Sequence, residues 1–333
     1  MISANVQPET STNWTVVISK GQSRNPVKRS LEQALADAAS KLDGVAVVVV
    51  PHLYDLPKGG ESLTTLAEID SNIIVASWIF PRAAHWVLDR NGVRGQFVAV
   101  DDDQDDDEEP SSASARDVDR VADLYPRPDR EIHCIDLKNG EDPQRFIELL
   151  QQIVLAEQAD HSAADRSLPI IGGKLVEVDE TTARRWYPVI DFSRCTNCME
   201  CVDFCLFGVY GVDQAETILV EQPDNCRKGC PACSRVCPEN AIIFPQHKAP
   251  AIAGADIGGD EGFKIDLSKL FGAPDGGEDA IATAARERDE QLLLTGRDAV
   301  GIDDQLKRRQ RDVAQKPKDD LDKLIDSLDA LDL

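Results

Sequence analysis

Eight of the nine cysteines fall in two runs of one shape: Cys195, Cys198, Cys201 and Cys205 in CTNCMECVDFC, then Cys226, Cys230, Cys233 and Cys237 in CRKGCPACSRVC, ahead of Pro238. Thiols this close bridge to each other, ligate metal or do redox chemistry, and compartment decides between these. The N-terminal MISANVQPETSTNW has neither the basic start nor the apolar stretch of a secretory signal. The longest apolar run, VAVVVV at 45–50, falls far short of the roughly 20 residues a membrane span needs. A cytoplasmic protein without a membrane span is therefore expected. In a reducing cytosol nine cysteines do not make a disulfide framework, which leaves ligation of a metal or cluster as the leading reading.

A Cys-x2-Cys-x2-Cys run curls the backbone so that three thiolates converge on one cubane, while the fourth cysteine points away and needs another cluster. At these residues the stretch 186–248 resembles the bacterial-type two-cluster 4Fe-4S ferredoxin domain. The resemblance implies two 4Fe-4S clusters with crossed ligation. Cys195, Cys198 and Cys201 share a cluster with Cys237, and Cys226, Cys230 and Cys233 share the other with Cys205. Each run is followed by a short apolar strand signal, VYGV at 209–212 and AIIF at 241–244, as in the internal repeat of that family. Two features depart from its pattern: Leu206 stands where proline is usual, and three residues rather than two separate Cys226 from Cys230. Two structural zinc sites are the rival reading, although zinc is usually held by two separated cysteine pairs. Cys134, the ninth cysteine, and His133 sit in an apolar strand signal and read as structural side chains.

Upstream, apolar strand signals at 15–19, 45–50, 72–77, 96–100 and 132–137 alternate with helical periodicity at 30–42, 61–69, 81–90 and 143–158. Ser30 is the expected N-cap of the first helix. This alternation predicts an open α/β domain with a mostly parallel sheet covered on both faces, followed by a small α+β ferredoxin-like domain. The expected boundaries are a disordered 1–13, an α/β domain over 14–165, a linker over 166–185, the cluster domain over 186–250 and a mostly disordered acidic tail over 251–333. The acidic stretch DDDQDDDEEPSSASARDVD at 101–119 reads as a disordered insertion loop. In the tail, Leu321, Leu324, Ile325, Leu328 and Leu331 recur at helical spacing and predict a short amphipathic helix.

KGQSRNP at 20–26 and FPRAAHWVLD at 80–89 resemble elements of the small class II chelatases of tetrapyrrole synthesis. Ser23 and Arg24 match one motif, with Gly21 where the family has its histidine. His85 and Asp89 match the second, a His-x3-Asp spacing that places both on one helical face, where they are candidate metal ligands.

A net charge of -24 disfavours nucleic acid and anionic membranes as partners and leaves a redox protein with a basic docking surface. The reading of the sequence is thus an electron carrier with two 4Fe-4S clusters. The alternative is a chelatase-like enzyme that handles metal or tetrapyrrole and bears an appended ferredoxin domain.

Overall fold

The computed structural model describes residues 14–100, 120–125, 127–161, 175–255 and 280–301. The first thirteen residues, the acidic stretch 101–119 and the leucine-bearing helix expected over 321–331 lie outside the described residues. No helix among the described residues is long and apolar enough to cross a membrane.

Five of the strands are those the apolar runs predict: β1 (Trp14–Ser19), β2 (Val45–Val50), β3 (Asn72–Ser77), β4 (Gln96–Ala99) and β5 (Glu131–Asp136). A sixth, β6 (Leu175–Glu177), comes from the stretch just before the cysteine runs. All pair in parallel, in the order β4-β5-β3-β1-β2-β6, with Val16 opposite Val47 on one side of β1 and Ile74 on the other. Only three residues of β6 pair, and two of them are exposed, which is why its sequence carried no strand signal.

Successive side chains of a strand point to opposite faces, and each face of this sheet has its own core. On one, Val16 and Ile18 pack with Leu31 and Leu35 of helix α1 (Pro26–Ala39) and with Phe146 and Leu150 of the long helix Pro143–His161. α1 starts four residues before the expected Ser30 cap. Asn25 caps it instead, its side chain accepting the Val27 N–H at 3.0 Å, and Pro26 fits the first turn, where its missing N–H leaves nothing unsatisfied.

On the other face, Val17, Val48 and Val75 pack with helices α2 (Glu61–Ala67) and α3 (Pro81–Arg90). Tyr187, Val189 and Ile243, from the ends of the cysteine-rich segment, belong to this same core. The described residues between 14 and 255 form one compact unit. Two side-chain locks join sheet and cysteine segment. Tyr54 and Tyr187 stack with ring centroids 4.3 Å apart, and the Tyr187 N–H donates to the Tyr54 hydroxyl at 2.6 Å. Arg82 on α3 donates to Asp191 at 2.5 Å with both side chains buried.

The second unit, 277–333, is described over 280–301. A helix runs over Ala280–Leu294, and Asp289 accepts the Gly301 N–H at 2.6 Å while Arg288 donates to the Gly301 carbonyl at 2.5 Å, closing the chain back on the helix.

Candidate metal centre

The cysteine runs sit between two short antiparallel strand pairs. β7 (Val189–Ile190) enters the first run and pairs with β10 (Ile242–Ile243), which leaves the second. β8 (Tyr210–Val212) leaves the first run and pairs with β9 (Ile218–Val220), which enters the second. Pairing the outer ends brings Cys237 to the first run, and pairing the inner ends brings Cys205 to the second.

The thiols sort accordingly. Burial pushes the Cys195 thiol up to about 11, and the neighbours that add to the rise are Cys237, Cys198 and Asp191. Cys201 is pushed up by burial and then by Cys237, Cys195 and Cys198. In the other group Cys226 rises through burial, Cys230 and Cys205, and Cys233 through burial, Cys226, Cys205 and Cys230. By these mutual influences the thiols divide into two quartets, Cys195, Cys198, Cys201 and Cys237, and Cys205, Cys226, Cys230 and Cys233. Buried thiols that raise one another's pKa ionise poorly alone, and a polycationic core among them reverses that balance. A donor set made of thiols alone suits iron–sulfur ligation. Among the described residues no three His, Cys, Asp or Glu side chains converge on a single ion. A cubane does not ask for that, because it spreads its thiolates over separate irons.

The first run needs an unusual backbone. Asn197 and Met199 both have positive φ, 57° and 64°, a strained choice for side-chain-bearing residues that persists where the surroundings fix it. Here the Asn197 side chain donates to the Glu216 carbonyl at 2.6 Å and accepts the Ile218 N–H at 3.0 Å, tying the turn to β9. The turn aims the Asn197 N–H at Cys195 Sγ, 3.5 Å away. Gly229 (φ 89°) takes the left-handed position in the second run without a side-chain penalty. Further donors to sulfur are the Ala241 N–H on Cys237 at 3.3 Å and the Tyr210 hydroxyl on Cys233 at 3.0 Å. Counting cysteines did not reveal Asn197 and Tyr210. Tyr210 carried one signal, an aromatic within the apolar VYGV stretch.

The other candidate ligands are placed differently. His85 and Asp89 are buried on α3. The Asp89 carboxylate is engaged by Arg127, and the His85 ring lies against Trp86 and Phe97 with centroids 5.1 and 5.0 Å away. Burial, and then the Arg127 charge, lower the His85 pKa to about 4. A guanidinium beside both side chains opposes a metal cation there. Gly21 donates its N–H to Glu32 at 2.7 Å, and a Cβ on it would meet the Trp78 ring at 3.1 Å, so this turn is packed for glycine. Cys134 is buried within the sheet and stands in neither quartet, as its apolar setting predicted.

Over 66 residues, 20% of its length, the chain is 48% identical to an uncharacterized ferredoxin of Methanocaldococcus jannaschii, covering 44% of that relative. Over 70 residues it is 33% identical to the pyruvate synthase subunit PorD of the same organism, covering 79% of it. The chain thus spans less than half the length of the first relative and most of the second. No family model matches, and no solved structure matches. The shared segment is about a fifth of the chain, and through it the chain belongs to the family of ferredoxin-like proteins that includes PorD.

Proposed function

We propose that the protein is an electron carrier holding two 4Fe-4S clusters, one in each cysteine quartet. The observation that carries this reading is the sorting of eight thiols into two sets of four, each completed by a cysteine from the other run. When bound, the clusters would accept and release single electrons. The chain supplies ligation, burial and the hydrogen bonds to sulfur from Asn197, Ala241 and Tyr210. The partner we infer is a redox protein, because the PorD name describes an enzyme subunit. The net charge of -24 favours a basic docking surface on that partner.

Anaerobic purification followed by iron and sulfide analysis tests the cluster content, with about eight of each expected per chain. Crossed ligation has a sharper test. Cys198→Ser and Cys237→Ser should alter the EPR signal of one cluster, and Cys205→Ser and Cys230→Ser that of the other. Stoichiometric zinc without sulfide, or Cys237→Ser disturbing the same signal as Cys230→Ser, would refute the assignment.

A further inference from the structure

A cavity of about 650 Å³ opens between α2, the end of α3 and the β8–β9 hairpin. That volume lies in the range of small-molecule sites, roughly 300–1,000 Å³. One wall is apolar and includes Leu63, Val121, Ile190, Phe192 and Ile218. Of these, Val121, Ile190 and Ile218 share a packed core with Cys195 and Cys201, and the Val121 N–H donates to the Cys195 carbonyl at 2.9 Å. The wall therefore backs directly onto the first cysteine run.

The charged lining is Lys58, Arg90, Arg94 and Arg127 against Asp89 and Asp213. Both carboxylates are already engaged. Asp89 takes Arg127, and Asp213 accepts the N–H groups of Ala215 and Thr217 at 2.9 and 2.8 Å. Arg90 lies over the Tyr187 ring and donates one Nη to the Val220 carbonyl at 3.2 Å, while its Nε is buried without a partner. Among the described residues neither the Lys58 ammonium nor the Arg94 guanidinium has an acidic partner. In a chain of net charge -24, three cations with unspent donors around one hollow reverse the overall sign, and a cleft concentrates such a field. The strongly negative whole repels a polyanion, and the apolar wall gives bare phosphate nothing to rest on.

We propose that this cavity binds a small organic anion with an apolar body, its charge held by Lys58, Arg90 and Arg94 and its body against the wall behind the first cysteine run. The inference stands on the cavity and its charges and does not require the clusters.

The probe is 8-anilinonaphthalene-1-sulfonate, an apolar body with one fixed negative charge, titrated into the full-length chain under anaerobic conditions with iron measured in parallel. Saturable fluorescence enhancement at one site per chain is expected, displaced by benzoate at concentrations where inorganic phosphate has little effect. The Lys58→Gln/Arg94→Gln double variant should weaken dye affinity tenfold or more, while Lys58→Arg/Arg94→Lys retains it. Dye binding that the double glutamine variant leaves unchanged, or phosphate competing as well as benzoate, would overturn the proposal. Full iron content without saturable dye binding would also overturn it, leaving the electron carrier intact; dye binding without iron would do the reverse.

Discussion

The hydroxyl of Tyr210, on the strand that leaves the first cysteine run, donates to Cys233 Sγ in the second run at 3.0 Å. Burial and the neighbouring thiols hold its phenol well above the usual range, so it remains a donor throughout the working pH range. A donor on a ligand sulfur favours the more negative, reduced state of a cluster. Tyr210→Phe should therefore lower the potential of the cluster proposed on Cys233. A hydrogen bond of about 1 kcal/mol corresponds to roughly 40 mV for one electron. A redox titration followed by EPR reads this directly. Equal shifts in both clusters, or none, would contradict the local role.

Arg82 and Asp191 form the buried ion pair joining α3 to the entry of the first cysteine run, where Asp191 also accepts the Cys195 N–H through its carbonyl at 2.9 Å. Removing Arg82 strips Asp191 of its buried cation and leaves it Ser193 and, at 3.6 Å, the partly exposed Arg194. Arg82→Met should cost about 3–5 kcal/mol, whereas replacing both partners by apolar residues costs less. Denaturant midpoints of Arg82→Met and of Arg82→Met/Asp191→Leu make the comparison.

His85 gives a pH signature. Its folded pKa of about 4 lies below the ordinary 6.5, so the unfolded chain takes up the proton first as pH falls. Stability from this group is complete above about pH 6.5 and is lost progressively as pH drops towards 4, by about 3 kcal/mol in all. The charges that act on the ring are those of Arg127 and Asp191. His85→Phe should flatten the difference in stability between pH 6.5 and pH 4.5, measured against the parent under identical conditions. An unchanged slope would show that the ring is already protonated in the fold.

Charge near the quartets is unequal. Glu200 and Asp203 flank the first run, and Arg227, Lys228 and Arg235 flank the second. Positive charge favours the reduced cluster, so the one on the second run should be reduced first. Changing Arg227 and Lys228 to Gln should lower its potential, and high salt should shrink the gap because these charges are screened.

The sheet could be read from the sequence because its strands are buried on both faces and spell continuous apolar runs, as in VAVVVV. β6 escaped because pairing at an edge requires backbone alone, and Leu175 and Glu177 are exposed. The cysteines announced the site through spacing. What spacing could not convey was the backbone around them: Asn197 at positive φ is recognisable only once its side chain is seen anchored to β9. His85 and Asp89 had the right separation for a shared ligand, yet Arg127, 38 residues further on, claimed the carboxylate. A single sequence holds no record of such distant neighbours.

The apolar flank formed by Tyr187, Val189 and Ile243 is buried against the sheet's own helices. Small ferredoxins are ordinarily pictured as portable cartridges that can be spliced from one chain to another. Here the cartridge has no finished outer wall on that side. Excised at residue 186, it would carry three greasy side chains and an Asp191 stripped of Arg82 into water and would tend to self-associate or shed its metal. Transplanting it intact into another scaffold would mean carrying α3 along as its missing wall.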